Sequence, residues 1–217
     1  HELHLLARYW GLRAEGAGDT IQDVLTNSEA EGWVNWLRRL PVACTGNFRT
    51  KEWVLVHAAV GPEWGIAEIK ARAGAVSSRL GSNKVEEART FLGSDAKEDP
   101  VRDDLAFFTS CRSLVAETVG ARWTRSEPDL FGGVPWHEAW RDGGHDYGVI
   151  YGHWAAQGLH SAVNLRGLDT GCVYHGRWAV GKLTAWLPNM GLKDPFSVPD
   201  GRFWHAVARR VYYREDK

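Results

Sequence analysis

The chain has 217 residues, 44% of them hydrophobic, and a formal net charge of -1 at pH 7. That suffices for one sizeable core, and the near-zero charge excludes a strong field drawing the protein to nucleic acid or a membrane surface. No run approaches the ~18 apolar residues of a membrane span, and three cysteines without CxxC spacing, Cys44, Cys111 and Cys172, fit a reducing cytoplasm better than a disulfide scaffold.

The opening stretch HELHLLARYWGL reads as helix from its first residue, with Leu3, Leu6 and Tyr9-Trp10 at helical spacing. It has no N-cap, so His1 reads as the start of a trimmed or fragmentary chain. Asp19-Thr20 reads as the cap of a following helix, DTIQDVL. EAEGWVNWLRRLP predicts an amphipathic helix stopped by Pro41. VACTGN and EWVLVHAAV predict a hairpin turning at Gly46-Asn47. EWGIAEIKARAGAVSSRLG is helical, SNKVEEARTFLGSDAKEDP reads as a surface helix and loop, and VRDDLAFFTSCRSLVAETVG as a helix ending in a strand. Residues 126–146, rich in Gly, Pro and Trp, predict a long ordered loop of the kind that lines a site. YGVIYGH, a strand near VNLRGLDTG, a hairpin partner in WAVGKLTAWL, and a strand or frayed tail at VYYREDK complete the chain. The mixture predicts an α/β or α+β class in one domain.

Nine histidines are present. His4, His137, His145, His160, His175 and His205 fall in loops or on helix faces and need no special role. His57 and His153 differ. Each follows an apolar strand, WVLVH and GVIYGH, and small residues come next, Ala58-Ala59 and Ala155-Ala156. Strand ends are where α/β folds place chemistry, and small residues there let backbone approach a ligand. Two readings stay open on the residues alone: buried rings satisfied by backbone, or a pair of imidazole metal ligands. Among twelve tryptophans, most read as core or groove-lining residues.

HELHLLARYWGL, WVNWLRRLP, VLVHAAVGPEW, YGHWAAQGL and GLDTGCV stand in the order in which similar segments occur in symmetrical bis(nucleosyl)-tetraphosphatases. These are diadenosine tetraphosphate hydrolases of the phosphoprotein-phosphatase-like metallophosphatase superfamily. The resemblance covers roughly residues 1–80 and 145–190. It implies a metallophosphatase-like β-sandwich flanked by helices, one domain over residues 1–217 lacking its N-terminal portion, with a less family-like insert at about 81–144. The family's early motifs, GDxHG and GDxVxRG, have no counterpart in this numbering. HE at the start resembles the second half of its third motif, GNH[DE]. His1 therefore resembles the family's catalytic proton donor, and His57 and His153 its fourth- and fifth-motif metal ligands. Asp169 of LDTGC reads as a residue supporting those ligands or as a turn former before Thr170-Gly171. Arg112 falls near a family arginine on a helix and reads as a phosphate-binding residue. Trp154 reads as a base-stacking residue or core, and Trp136 and Trp140 in the Gly-Pro loop are further candidates for stacking on a base.

The resemblance implies a two-metal hydrolase that cuts diadenosine tetraphosphate into two ADP by direct attack of a metal-bound hydroxide, using Mn2+ or, as alternatives, Co2+, Fe2+ or Mg2+. Its expected substrates are dinucleoside polyphosphates and tetraphosphate-capped RNA ends, with no membrane partner and no stable nucleic-acid binding. With the upstream carboxylates absent, this chain alone is expected to hold metal weakly. Two alternatives remain: a serine/threonine protein phosphatase on the same scaffold, and a truncated relative without catalysis.

Overall fold

The computed structural model describes residues 1–16, 18–95, 97–116, 121–128, 132–175, 181–197, 202–210 and 213–214. The chain divides into two compact units, His1–Val42 with Ala71–Ala106, and Ala43–Lys70 with Phe107–Lys217. The segment 81–144 contributes to both.

The first unit is helical. It contains α1 (Glu2–Tyr9), α2 (Gln22–Leu25), α3 (Ala30–Leu37), α5 (Val85–Gly93), most of α4 (Ile66–Leu80) and the first part of α6 (Pro100–Ser110). Its core gathers Leu5, Leu6 and Trp10 from the α1 region, Val34 from α3, Val76 and Leu80 from α4, and Phe91 and Leu92 from α5. α5 is thus a packed amphipathic helix with its Glu86-Glu87 turn outside, not only a charged surface element. Asp19 does not cap α2, whose N-cap is Ile21 without a side-chain bond. Its carboxylate instead accepts from the Gly16 N–H (3.1 Å), meets His4 Nε2 at 2.7 Å and pairs with Arg8 Nε at 3.2 Å. Two basic partners on α1 outcompete a single capping bond, and they tie the loop after α1 back onto the helix. Buried Arg38 donates to the Leu80 and Ser82 carbonyls at 3.3 and 2.6 Å, satisfying the C-terminal end of α4.

The second unit is built on a five-stranded sheet in the order β1-β2-β6-β8-β7. The strands are β1 (Ala43–Phe48), β2 (Lys51–Val56), β6 (Gly148–Tyr151), β7 (His160–Ala162) and β8 (Leu165–Gly167). The central strands β2, β6 and β8 run parallel, and the flanking strands are antiparallel. β6 and β8 are buried nearly throughout, as central parallel strands require. The expected hairpin is β1–β2, but the turn lies at Arg49-Thr50, with Arg49 at φ 55°, and not at Gly46-Asn47. Gly46 sits inside β1 opposite Trp53, where a Cβ would come 2.4 Å from the indole. The glycine makes room for a ring rather than a bend.

A ribbon of β10 (Lys182–Leu187) and β11 (Arg202–Val207) packs on this sheet through Trp186. The Trp186 ring lies 6.0 Å from Phe48 and 4.7 Å from Phe196, and the Arg166 guanidinium stacks over it at 4.7 Å. Smaller sheets join β3 (Ser113–Ala116), β4 (Ala121–Thr124) and β5 (Val134–Pro135), and β9 (Tyr174–His175) with β12 (Tyr213–Arg214). Tyr213 and Arg214 are the described part of the C-terminal segment 211–217, and residues 176–180 of the expected hairpin partner lie outside the described residues. The α/β class holds. The loop expected at 126–146 contains a helix, α7 (Trp136–Asp142), which buries Trp136, His137 and Trp140. Pro135 presets its entry, and Glu138 and Arg141 complement its dipole. Trp136 and Trp140 are core residues, not stacking platforms.

Candidate functional site

β2 and β6 are neighbours and parallel, with Trp53, Val54 and Leu55 opposite Gly148, Val149 and Ile150. Apolar alternation carries both strands through the core, and both release a histidine at the same edge. His57 follows Val56 directly. His153 follows Tyr151 after one glycine, and the Gly152 N–H donates to the His57 carbonyl at 2.9 Å, extending the ladder past the strands. The two imidazole rings lie 5.2 Å apart, centroid to centroid, inclined by 52°. His57 is exposed, while Ala58, Ala59 and Val60 after it are buried, and the Ala58 N–H is held by the Phe108 carbonyl at 2.8 Å.

His153 is half-buried, and its Nε2 is buried without a hydrogen-bond partner. Its φ is 67°, the left-handed region that non-glycine residues seldom occupy. Burial, then the charge of Arg112 and then that of His57 lower its pKa to about 4, against a raising hydrogen bond to the Ser110 backbone. The ring is therefore neutral at pH 7, the form in which imidazole binds a metal. A buried, unpartnered, neutral ring nitrogen beside a second histidine fits a share in one divalent ion. Among the described residues no group of three or more His, Cys, Asp or Glu side chains is placed to hold a metal.

Arg112 lies in the connector between α6 and β3, not on a helix. Its NH1 donates to the Arg125 carbonyl at 2.8 Å, and its Nε is 3.7 Å from Glu127 Oε1. Its charge still reaches His153. Asp169 Oδ1 accepts from the Gly171 N–H at 2.9 Å, the turn-forming geometry, while its Cβ lies close to Gly152. Trp154 is buried, its ring 5.9 Å from that of His137. His1 is exposed at the start of α1, in the other unit, and its carbonyl accepts from the Leu5 N–H at 2.9 Å.

No protein-family model matches the chain. Curated proteins do, among them the symmetrical bis(5'-nucleosyl)-tetraphosphatases of Ralstonia nicotianae, Nitrosomonas europaea and Burkholderia pseudomallei. The Ralstonia protein is 30% identical over 199 residues, covering 85% of this chain and 67% of its own length. The Nitrosomonas protein is 32% identical over 190 residues, covering 81% and 68%. The Burkholderia protein is 31% identical over 195 residues, covering 85% and 68%. The chain belongs to the symmetrical bis(5'-nucleosyl)-tetraphosphatase family.

Near the histidine pair, this tetraphosphatase-family chain also assembles a cluster that sequence reasoning passed over: His137, Tyr151, Gln157 and His160. The His137 and His160 rings are 4.5 Å apart. Burial, then His160 and Arg141, drive the His137 pKa down to about 3. An unfolded chain takes up that proton near the ordinary histidine value, so the stabilisation is complete above pH ~6.5 and is lost as pH falls toward 3. By pH 5 the loss is about 2 kcal/mol. Urea midpoints should therefore drop between pH 7 and pH 5, and His137→Phe should flatten that decline. An unchanged slope in the variant would show that His137 titrates normally.

Proposed function

We propose that the protein hydrolyses dinucleoside tetraphosphates symmetrically, taking diadenosine tetraphosphate to two ADP. The observation that carries this reading is the neutral, unpartnered His153 Nε2 set beside His57 at the ends of adjacent parallel strands, in a chain of the tetraphosphatase family.

His57 and His153 would hold a divalent ion, with Mn2+ the first candidate and Co2+, Fe2+ and Mg2+ as alternatives. Two such ions supply Lewis-acid polarisation of a phosphoryl group and ease the deprotonation of water. The chain's own residues do the rest. His153 keeps a lone pair available at neutral pH because burial and Arg112 suppress its protonation. Arg112 offers positive charge to the polyphosphate. Asp169 holds the turn beside Gly152. Hydrolysis joins water's oxygen to one of the two central phosphorus atoms and breaks its bond to the bridging oxygen. That oxygen leaves on the second ADP and takes a proton, which His1 provides.

Tetraphosphate-capped RNA ends present the same anhydride and belong to the same substrate class. Cys44, Cys111 and Cys172 are free thiols, and no helix among the described residues is long and apolar enough to cross a membrane. A cytoplasmic location accords with both. The test is turnover by the full-length protein with Mn2+. Diadenosine tetraphosphate should be cleaved with a kcat/KM far above that for a phosphoserine peptide. A phosphopeptide turned over equally well would move the protein to the protein-phosphatase branch.

A further inference from the structure

The turn that presents His153 is strained. The Trp154 N–H donates to the Gly152 carbonyl at 2.8 Å, closing a three-residue turn with His153 at its centre. With φ at 67°, this is the rare, strained hand of the γ-turn. Such a conformation persists only where its surroundings over-determine it. The adjoining backbone bonds, Gly152 N–H to His57 and Gln157 N–H to Trp154 (3.0 Å), anchor the two ends of the turn separately.

A chain of four side chains spans the same segment. Gln157 Nε2 lies 2.6 Å from His137 Nε2, and the Tyr151 hydroxyl is 2.9 Å from Gln157 Oε1 and 2.5 Å from His160 Nδ1. Chemistry orders the hydrogens. An amide nitrogen only donates, so His137 Nε2 accepts and its hydrogen is on Nδ1. An amide oxygen only accepts, so Tyr151 donates its one hydrogen to Gln157 and receives one from His160 Nδ1. The hydrogen bonds therefore run from His160 through Tyr151 and Gln157 to His137, which accepts the last, with every member neutral. Burial holds both imidazoles below their ordinary pKa and the phenol above its own. Tyr151 is only 2% exposed and His137 only 7%. Tyr151 ends β6, and Gln157 closes the short 3-10 turn Ala155–Gln157. The Tyr151–Gln157 bond thus clamps the two ends of the loop that carries His153. His137, on α7, packs beside Trp154 and fastens the clamp to the body of the unit.

We propose that Tyr151, Gln157, His137 and His160 are positioning residues whose hydrogen-bond chain holds the strained turn that aims His153, with Gln157 as the member that links both halves. The effect on metal and turnover rests on the function proposed above; the effect on the turn itself does not.

The test uses the full-length protein with Gln157→Leu, Gln157→Glu and Tyr151→Phe. The first readout is NMR: the backbone carbon shifts of His153, which report its φ, and the imidazole nitrogen shifts of His137, which report its tautomer. The second is kcat, KM and the Mn2+ concentration for half-maximal rate. Gln157→Leu keeps the bulk but removes both bonds. His153 should leave its left-handed shifts, and half-saturation by Mn2+ should rise about 10–100-fold, as when a ligand's support is lost. KM for the tetraphosphate should change little. Gln157→Glu offers one oxygen to Tyr151 and one to His137, provided the His137 hydrogen moves to Nε2. The tautomer swap should be visible, and the His153 shifts should return to wild type. Tyr151→Phe removes a single oxygen and should reproduce the leucine effect in a protein that folds even if Gln157→Leu does not.

The proposal is overturned if Gln157→Leu or Tyr151→Phe leaves the His153 shifts unchanged, or if Gln157→Leu and Gln157→Glu differ from wild type only in melting temperature. A wild-type protein without tetraphosphatase activity would sink the functional reading alone, because the His153 shifts decide the positioning claim without any turnover.

Discussion

His1→Ala is expected to lower kcat on diadenosine tetraphosphate by about 10²–10⁴-fold, the usual worth of general acid catalysis, while leaving Mn2+ affinity near wild type. The imidazole is exposed at the start of α1, and α1 is anchored by buried Leu5 and Leu6 and by the Asp19 pairs with His4 and Arg8. Truncating it should cost little stability. The expectation turns on the leaving group. An ADP trianion departing from the tetraphosphate gains much from a proton, whereas a nitrophenolate departs without one. The loss should therefore shrink sharply when a nitrophenyl phosphodiester replaces the tetraphosphate. Equal losses on both substrates, or rescue of His1→Ala by added metal, would remove His1 from the proton-donor role.

His153→Ala should fail in the opposite way. It deletes the ring whose Nε2 is buried without a partner and removes one of the two paired imidazoles. Losing residues that merely support a ligand weakens metal affinity by about 10–100-fold, so losing the ligand itself should cost at least about 100-fold. Calorimetric titration with Mn2+ reads this directly, without turnover. The rate at low metal should collapse, and excess Mn2+ should restore part of it by mass action. Stability should change little, because the variant gives up the packing of a half-buried ring but buries one fewer unpaired polar atom. An unchanged calorimetric affinity would mean that the paired histidines are a packing contact.

The contrast between these variants rests on parts of the molecule with unequal visibility in the sequence. The two strands that end in histidine were legible, because WVLV and GVIY are apolar runs cut off by small residues, and local pattern was enough to put His57 and His153 at strand ends. That the strands are adjacent and parallel is a long-range fact, and it is what brings the rings to 5.2 Å. The hairpin turn does not fall where Gly46-Asn47 suggests, because Gly46 has the form of a turn residue and is instead a gap for the Trp53 ring. Helix α7 was hidden between Gly132-Gly133 and Gly143-Gly144, where seven residues are too few to show a helical period. Asp19 has the form of a cap and was drawn away by His4 and Arg8. The His137–Gln157–Tyr151–His160 chain carries no local signal. Its members come from α7, β6, the turn after it and β7, and only their joint burial makes them a unit.

The central claim is a symmetric cut, and the products test it most directly. Full-length protein, Mn2+ and diadenosine tetraphosphate, stopped early and resolved by anion-exchange chromatography, should give ADP alone, two per substrate consumed. Equal amounts of ATP and AMP would place the cut at an outer anhydride bond and contradict the account.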